Sequence, residues 1–180
     1  INPNEYPSLT AVFESSCERI STQDAFSSLG RTITYAEYNR RARNFAAWLQ
    51  QSAKLQRGDR IAIMLPNVLQ YPIALFGALR AGLTVVNTNP LYTARELEHQ
   101  LTDSGAKAIL ILENFAHTLE QVIEQTSIEH VLITGVGDQL AWPISSIVNL
   151  VVRHVRKQVP PYELPAALLF NDALEQGKFL

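Results

Sequence analysis

Residues 58–87, GDRIAIMLPNVLQYPIALFGALRAGLTVVN, constrain the fold more than any other stretch. Residues 61–65 form a short apolar run behind Gly58-Asp59, and Pro66-Asn67 ends it. Residues 68–80 then have helical spacing, with Val68, Tyr71, Leu75 and Leu79 on one stripe. Ala81-Gly82 stops that helix, and 83–86 is again apolar and β-branched. Strand, turn, helix, glycine and strand make one βαβ unit. A crossover of this length predicts parallel pairing, because it must carry the chain back along the sheet. The helix has no charge between Val68 and Leu79, so both of its faces are expected to be covered.

The same alternation continues. Apolar runs begin near 61, 84, 108 and 131, a spacing that any βα array produces. Residues 93–104 open with the capping-box pattern Thr93-x-x-Glu96 and turn Leu97 and Leu101 inward. A helix is predicted over 114–126 with Phe115, Leu119, Val122 and Ile123 as its stripe. Before the array, 9–20 reads as a helix through Leu9, Val12, Phe13, Ser16 and Ile20, capped by Ser8 or Thr10. Residues 24–26 and 32–34 flank Ser28-Leu29-Gly30-Arg31, which predicts a small hairpin with a glycine turn. The helix after Thr34 places Tyr38, Ala42, Phe45, Ala46 and Leu49 inward. The predicted fold is α/β: a mostly parallel sheet of at least four strands, helices on both faces, a hairpin near the start and a trailing amphipathic helix. The organisation expected is an α/β part over 1–140, a basic helix over 141–165 and the start of a further segment over 166–180. A sheet of this kind leaves an open edge, for which a second copy is one expected cover.

Composition excludes several classes. At 180 residues and 47% apolar the chain supports one sizeable core. A net charge of -2 gives no general attraction to nucleic acid. The single cysteine, Cys17, cannot form an internal disulfide and reads as an inert, buried thiol in a reducing, cytoplasmic setting. No secretory leader stands at the polar start, and no run of 18 apolar residues exists. With no initiator Met, the chain is expected to be a piece of a longer protein. Histidines 99, 117, 130 and 154 are widely spaced, with no partner at metal-ligand spacing. Neither a GxGxxG nor a GxxxxGK[ST] pattern is present.

Two regions are candidates for function. Loops at Pro66-Asn67 and 87–92 leave the carboxyl ends of predicted strands, where open α/β sheets bind ligands. Pro66, Asn67, Asn89 and Tyr92 are therefore pocket-edge candidates, against the plainer roles of turn and cap. The second region is 144–159. Ile144, Ile147, Val148, Val151, Val152, Val155 and Val159 recur with helical spacing. Arg153, Arg156 and Lys157 are its only charges, a +3 patch on an acidic chain. β-branched residues are mediocre helix formers, so this helix needs a surface to stay folded. That surface is the rest of the protein, an anionic membrane on its inner, cytoplasmic face, or another chain.

The stretch 58–82, followed by VVNTNPLYTARELEHQLTDSGAKAILI, resembles the amino-terminal domain of AMP-forming acyl-CoA synthetases, in particular the bacterial long-chain branch. NFAHTL at 114–119, GDQL at 137–140 and VPPYELP at 159–165 carry the same resemblance, and Thr32-Ile33-Thr34-Tyr35 is similar to the family's early helix start. Tyr38 stands where the family often has leucine. The resemblance implies an enzyme that uses ATP and magnesium to make an acyl-adenylate from a fatty acid, then passes the acyl group to coenzyme A. The family's phosphate loop, magnesium glutamate, ribose aspartate and mobile lysine have no counterpart in these 180 residues. The piece alone is thus expected to be inactive and to bind none of the cofactors. A non-catalytic scaffold or binding module, and an adenylating enzyme for another acid, are the alternatives.

Overall fold

The computed structural model describes residues 6–180; the polar start at 1–5 lies outside them. Helix α1 (Leu9–Arg19) is followed by strands β1 (Asp24–Ser28) and β2 (Arg31–Thr34), and by helix α2 (Tyr35–Gln51). The βα array then runs β3 (Arg60–Met64), α3 (Gln70–Arg80), β4 (Thr84–Asn87), α4 (Ala94–Ser104), β5 (Ala108–Leu112), α5 (Ala116–Glu120) and β6 (His130–Thr134). Helix α6 (Ile144–Leu150), a short strand β7 (Leu168–Leu169) and α7 (Phe170–Gly177) complete the chain. β1 and β2 form an antiparallel hairpin whose turn, Leu29-Gly30, has φ of 49° and 78°. The other five strands form one parallel sheet in the order β4-β3-β5-β6-β7.

Strand alternation divides the core. Ile61, Ile63, Leu110 and Leu132 face a cluster shared with α2, α3 and α7. Ala62, Met64, Ile109, Ile111 and Ile133 face a second cluster with α4 and α5. Burial on both faces explains why these strands read as continuous apolar runs. The Thr93 cap of α4 is present in full, with Glu96 Oε2 accepting from Thr93 N at 2.8 Å, and Gly105 ends the helix at φ 59°. α7 crosses α2 so closely that a Cβ at Gly177 would stand 1.9 Å from Asn44 O.

Four local expectations change. In α1 the buried residues are Phe13 and Cys17, while Leu9 and Val12 face solvent, so Cys17 belongs to the apolar face. Burial pushes its thiol pKa up. In α3 the buried stripe is Gln70, Ile73, Ala74, Gly77 and Ala78, and its small residues allow a close approach, Gly77 lying against Phe45 and Ala42 of α2. Val68, Tyr71, Leu75 and Leu79 lie on the other, half-buried side. The helix expected over 114–126 is broken into a 3-10 turn (Glu113–Phe115), α5 and a second 3-10 turn (Ile123–Gln125).

The helix expected over 144–159 also stops early. α6 ends at Leu150 and continues as a π-helical turn, Val151–Val155. Lys157 has φ 51°, and Val159, beyond the helix, precedes Pro160-Pro161. Neither segment fully buries a residue, and only Val148, Val151 and Val152 among their valines are half-buried, so packing offsets little of their poor helix propensity.

Candidate functional site

The strand order defines where a site belongs. The chain moves from β3 outward to β4, then crosses back to place β5 on the other side of β3. Ligands in open α/β sheets bind outside the carboxyl ends of the strands at such a reversal. Here that edge carries the loop after β3, Glu113 directly after β5, and Thr134-Gly135 at the end of β6.

The edge is organised by buried polar groups. Gln70, 1% exposed at the start of α3, donates from Nε2 to Thr134 Oγ1 at 3.1 Å and to Gly135 O at 2.8 Å. Asp138 Oδ2 accepts from Gly135 N at 2.7 Å and from Thr134 Oγ1 at 3.0 Å. Asn149 of α6 closes the turn: its Oδ1 accepts from Gly137 N, and its Nδ2 donates to Asp138 Oδ1, both at 2.7 Å. A Cβ on Gly137 would stand 2.7 Å from Ser145 O, so glycine there permits the close approach of α6.

Arg153, on the π-helical turn, ion-pairs with Glu113, which is 4% exposed. Its hydrogen bond to that carboxylate, and then the charge itself, raise the Arg153 pKa. Burial, helped by the nearby Glu113 charge, raises that of Tyr162. α6 and this turn thus form a strap, held by polar groups over a cavity of about 320 Å³ that Glu113, Asp138, Asn149, Arg153 and Tyr162 line. A second cavity, of about 400 Å³, lies between α3 and the hairpin, walled by Phe26, Tyr38, Val68, Tyr71, Leu75 and Phe76.

The residues singled out in sequence are dispersed. Asn67 lines the second cavity, and Pro66 beside it is exposed. Asn89 makes a turn, its Oδ1 accepting from Leu91 N at 3.0 Å, and Tyr92 packs against the α4 side of the core. Of the strap residues, Ile147, Val148, Val151 and Val152 border a shallow hollow with Leu29 and Val136. Ile144, Ile147, Leu150 and Val155 are 52%, 57%, 57% and 68% exposed. Arg153 is turned to Glu113, while Arg156 and Lys157 remain exposed. Gln70, Glu113, Asp138 and Asn149 were not found from sequence. A lone polar residue inside the uncharged α3, and an acid directly behind the all-apolar β5, were the available signals.

This arrangement defines a class that sequence comparison makes specific. The profile of the AMP-binding enzymes matches residues 13–169, and the chain belongs to that family. It is 54% identical over 177 residues to the long-chain-fatty-acid–CoA ligase of Salmonella typhimurium, covering 98% of this chain and 32% of that protein. Identity to the long-chain-fatty-acid–CoA ligase of Bacillus subtilis is 37% over 145 residues, 78% of this chain and 26% of the relative. Among solved structures, a benzoate CoA ligase from Burkholderia xenovorans superposes with a TM-score of 0.71 at 22% identity, over 92% of this chain and 28% of that one. An anthranilate CoA ligase in complex with anthranoyl-AMP gives 0.75 at 16% identity, over 94% and 28%. These two show the fold. The chain spans about a third of the length of the curated relatives it matches.

Proposed function

We propose that this chain is the amino-terminal part of an enzyme that activates long-chain fatty acids. The carrying observation is the 54% identity to a long-chain-fatty-acid–CoA ligase across nearly all of the chain. In that reaction a fatty acid carboxylate oxygen attacks the α-phosphorus of ATP, and pyrophosphate leaves. The thiol of coenzyme A then attacks the acyl carbonyl, losing its proton, and AMP leaves. Both steps need stabilisation of charge spreading over oxygen. This chain's contribution is the rigid sheet and its polar carboxyl edge. Its carboxylates do not fit magnesium: Glu113 is committed to Arg153, and Asp138 to Gly135, Thr134 and Asn149. Catalytic and metal-holding groups are assigned to the rest of the parent, and the chain alone is inactive.

ATP–pyrophosphate exchange tests this, measured on the parent and on this chain with and without long-chain fatty acid. Fatty-acid-dependent exchange by the parent alone is expected. Absence of exchange in the parent with any carboxylic acid would leave a scaffold or binding module.

The strap supports a second element, contact with an anionic lipid surface at the cytoplasmic membrane face. Its outward apolar residues stand beside exposed Arg156 and Lys157, and no helix among the described residues is long and apolar enough to cross a membrane. Co-sedimentation with anionic vesicles, reduced by Ile147→Asp and by salt, is expected; equal recovery with neutral vesicles would exclude it. A homodimer through the open β4 edge is the remaining element of the reading. It predicts a mass that doubles with concentration in light scattering.

A further inference from the structure

We propose that the half-open hollow between α3 and the β1–β2 hairpin is the docking face for the part of the parent that follows residue 180. The proposal rests on the reading of this chain as the amino-terminal part of a longer enzyme.

A surface helix turns charge to solvent, and a helix that is apolar all round is buried within a larger structure. α3 carries no charge from Gln70 to Leu79. Ile73, Ala74, Gly77 and Ala78 are buried inside this chain, but Tyr71, Leu75 and Phe76 on the other side are only half-buried. The hairpin covers that side in part: Phe26, edge-on to Tyr38 with ring centroids 5.1 Å apart, is 42% exposed. Among the described residues the hairpin pairs only with itself, so both of its outer edges are open. A two-stranded ribbon of this kind is marginal in water without further cover.

The chemistry of the hollow favours a protein surface as its cover. None of the described residues lining it is charged, and four of them, Phe26, Tyr38, Tyr71 and Phe76, are aromatic. The cores of protein interfaces have this composition, and exposed Asn67 supplies the polar margin usual around them. A small-molecule site instead needs convergent polar groups to fix its ligand. Here the phenolic hydroxyls are spent internally, that of Tyr38 donating to Pro72 O at 3.1 Å and that of Tyr71 to Asn87 Oδ1 at 2.9 Å. An anionic lipid surface would need cations, and the exposed ones, Arg156 and Lys157, lie on the strap. A second copy has to arrive from dilute solution. This chain covers only 32% of a ligase to which it is 54% identical, and the remainder of the parent is tethered to it, at an effective concentration in the millimolar range.

The test is hydroxyl-radical footprinting, read residue by residue in a mass spectrometer, on the full-length parent and on this chain at equal radical dose. Phe26, Tyr71 and Leu75 are expected to react about fivefold or more slowly in the parent than in this chain. Phe45, buried in both, is the unreactive reference. Equal rates at Phe26, Tyr71 and Leu75 in the two proteins would overturn the proposal. So would protection in this chain that grows with its concentration, which would mark contact between copies. Protection in the parent that appears only with added ATP or fatty acid would mark a ligand site and overturn it as well. The same parent sample is assayed for ATP–pyrophosphate exchange. Protection without exchange would sink the enzyme reading alone, and exchange without protection would sink the docking face alone.

Discussion

Gln70 and Thr134, 64 residues apart in sequence, are joined inside the protein by a 3.1 Å hydrogen bond, and the same amide reaches Gly135 O at 2.8 Å. This bond ties the start of α3 to the end of β6. Gln70→Leu keeps the volume and removes the donor, so it should cost about 1–3 kcal/mol in urea unfolding. A loss below about 0.5 kcal/mol would show that the carboxyl edge does not depend on this amide.

Gly177 and Asn44 mark the closest helix crossing. Alanine at 177 would place its methyl 1.9 Å from Asn44 O, a backbone atom that cannot rotate away. Gly177→Ala should destabilise the protein by about 3 kcal/mol and weaken the Trp48 Nε1 to Gln176 Oε1 bond beside it, now 3.0 Å. Thermal melting and tryptophan emission together check this.

Glu37 sets an acid-side limit. Burial pushes its pKa up, but hydrogen bonds and charge from Arg41, and then from Arg31, outweigh this and hold it below the usual glutamate value. A depressed carboxylate contributes stability that is complete above its unfolded pKa and is lost as pH falls through the folded one. Stability should therefore decline below the ordinary glutamate range. Glu37→Gln should be less stable at neutral pH and show a shallower acid decline. Parallel pH profiles for both proteins would refute the assignment.

Thr93 caps α4 through both halves of its box, with Glu96 N donating to Thr93 Oγ1 at 3.4 Å and Glu96 Oε2 accepting from Thr93 N. Thr93→Ala should cost about 1 kcal/mol in chemical denaturation. Thr93→Ser should restore most of it, since the hydroxyl performs the capping.

The strap is held by polar groups and buries no side chain. Asn149→Ala removes its bonds to Gly137 and Asp138. Amide exchange over 144–157 should accelerate at least tenfold while the global melting temperature moves little. A large fall in melting temperature would mean that the strap is part of the cooperative core.

Local chemistry made much of this legible in advance. Parallel strands buried on both faces have to be continuous apolar runs, so Ile61, Ile109 and Val131 announced β3, β5 and β6. Thr93 and Glu96 announced the start of α4, because capping acts within a few residues. The motifs NPLYT and ELEHQL carried the family resemblance that the comparisons establish.

Tertiary contacts decided the rest. Periodicity identified α3 but not which of its two apolar faces is the buried one. Packing decides for Ile73, Ala74, Gly77 and Ala78, with Gly77 so close to α2 that a Cβ there would stand 2.8 Å from Phe45. The valines of 148–159 have helical spacing, yet the α-helix gives way to a π-helical turn at Val151, and Lys157, at φ 51°, lies beyond its end. The polar edge draws Gln70, Glu113, Thr134, Asp138, Asn149 and Arg153 from four separate segments. Partners this distant leave no local pattern: spacing within a segment reports which residues share a face, and only packing determines what that face meets.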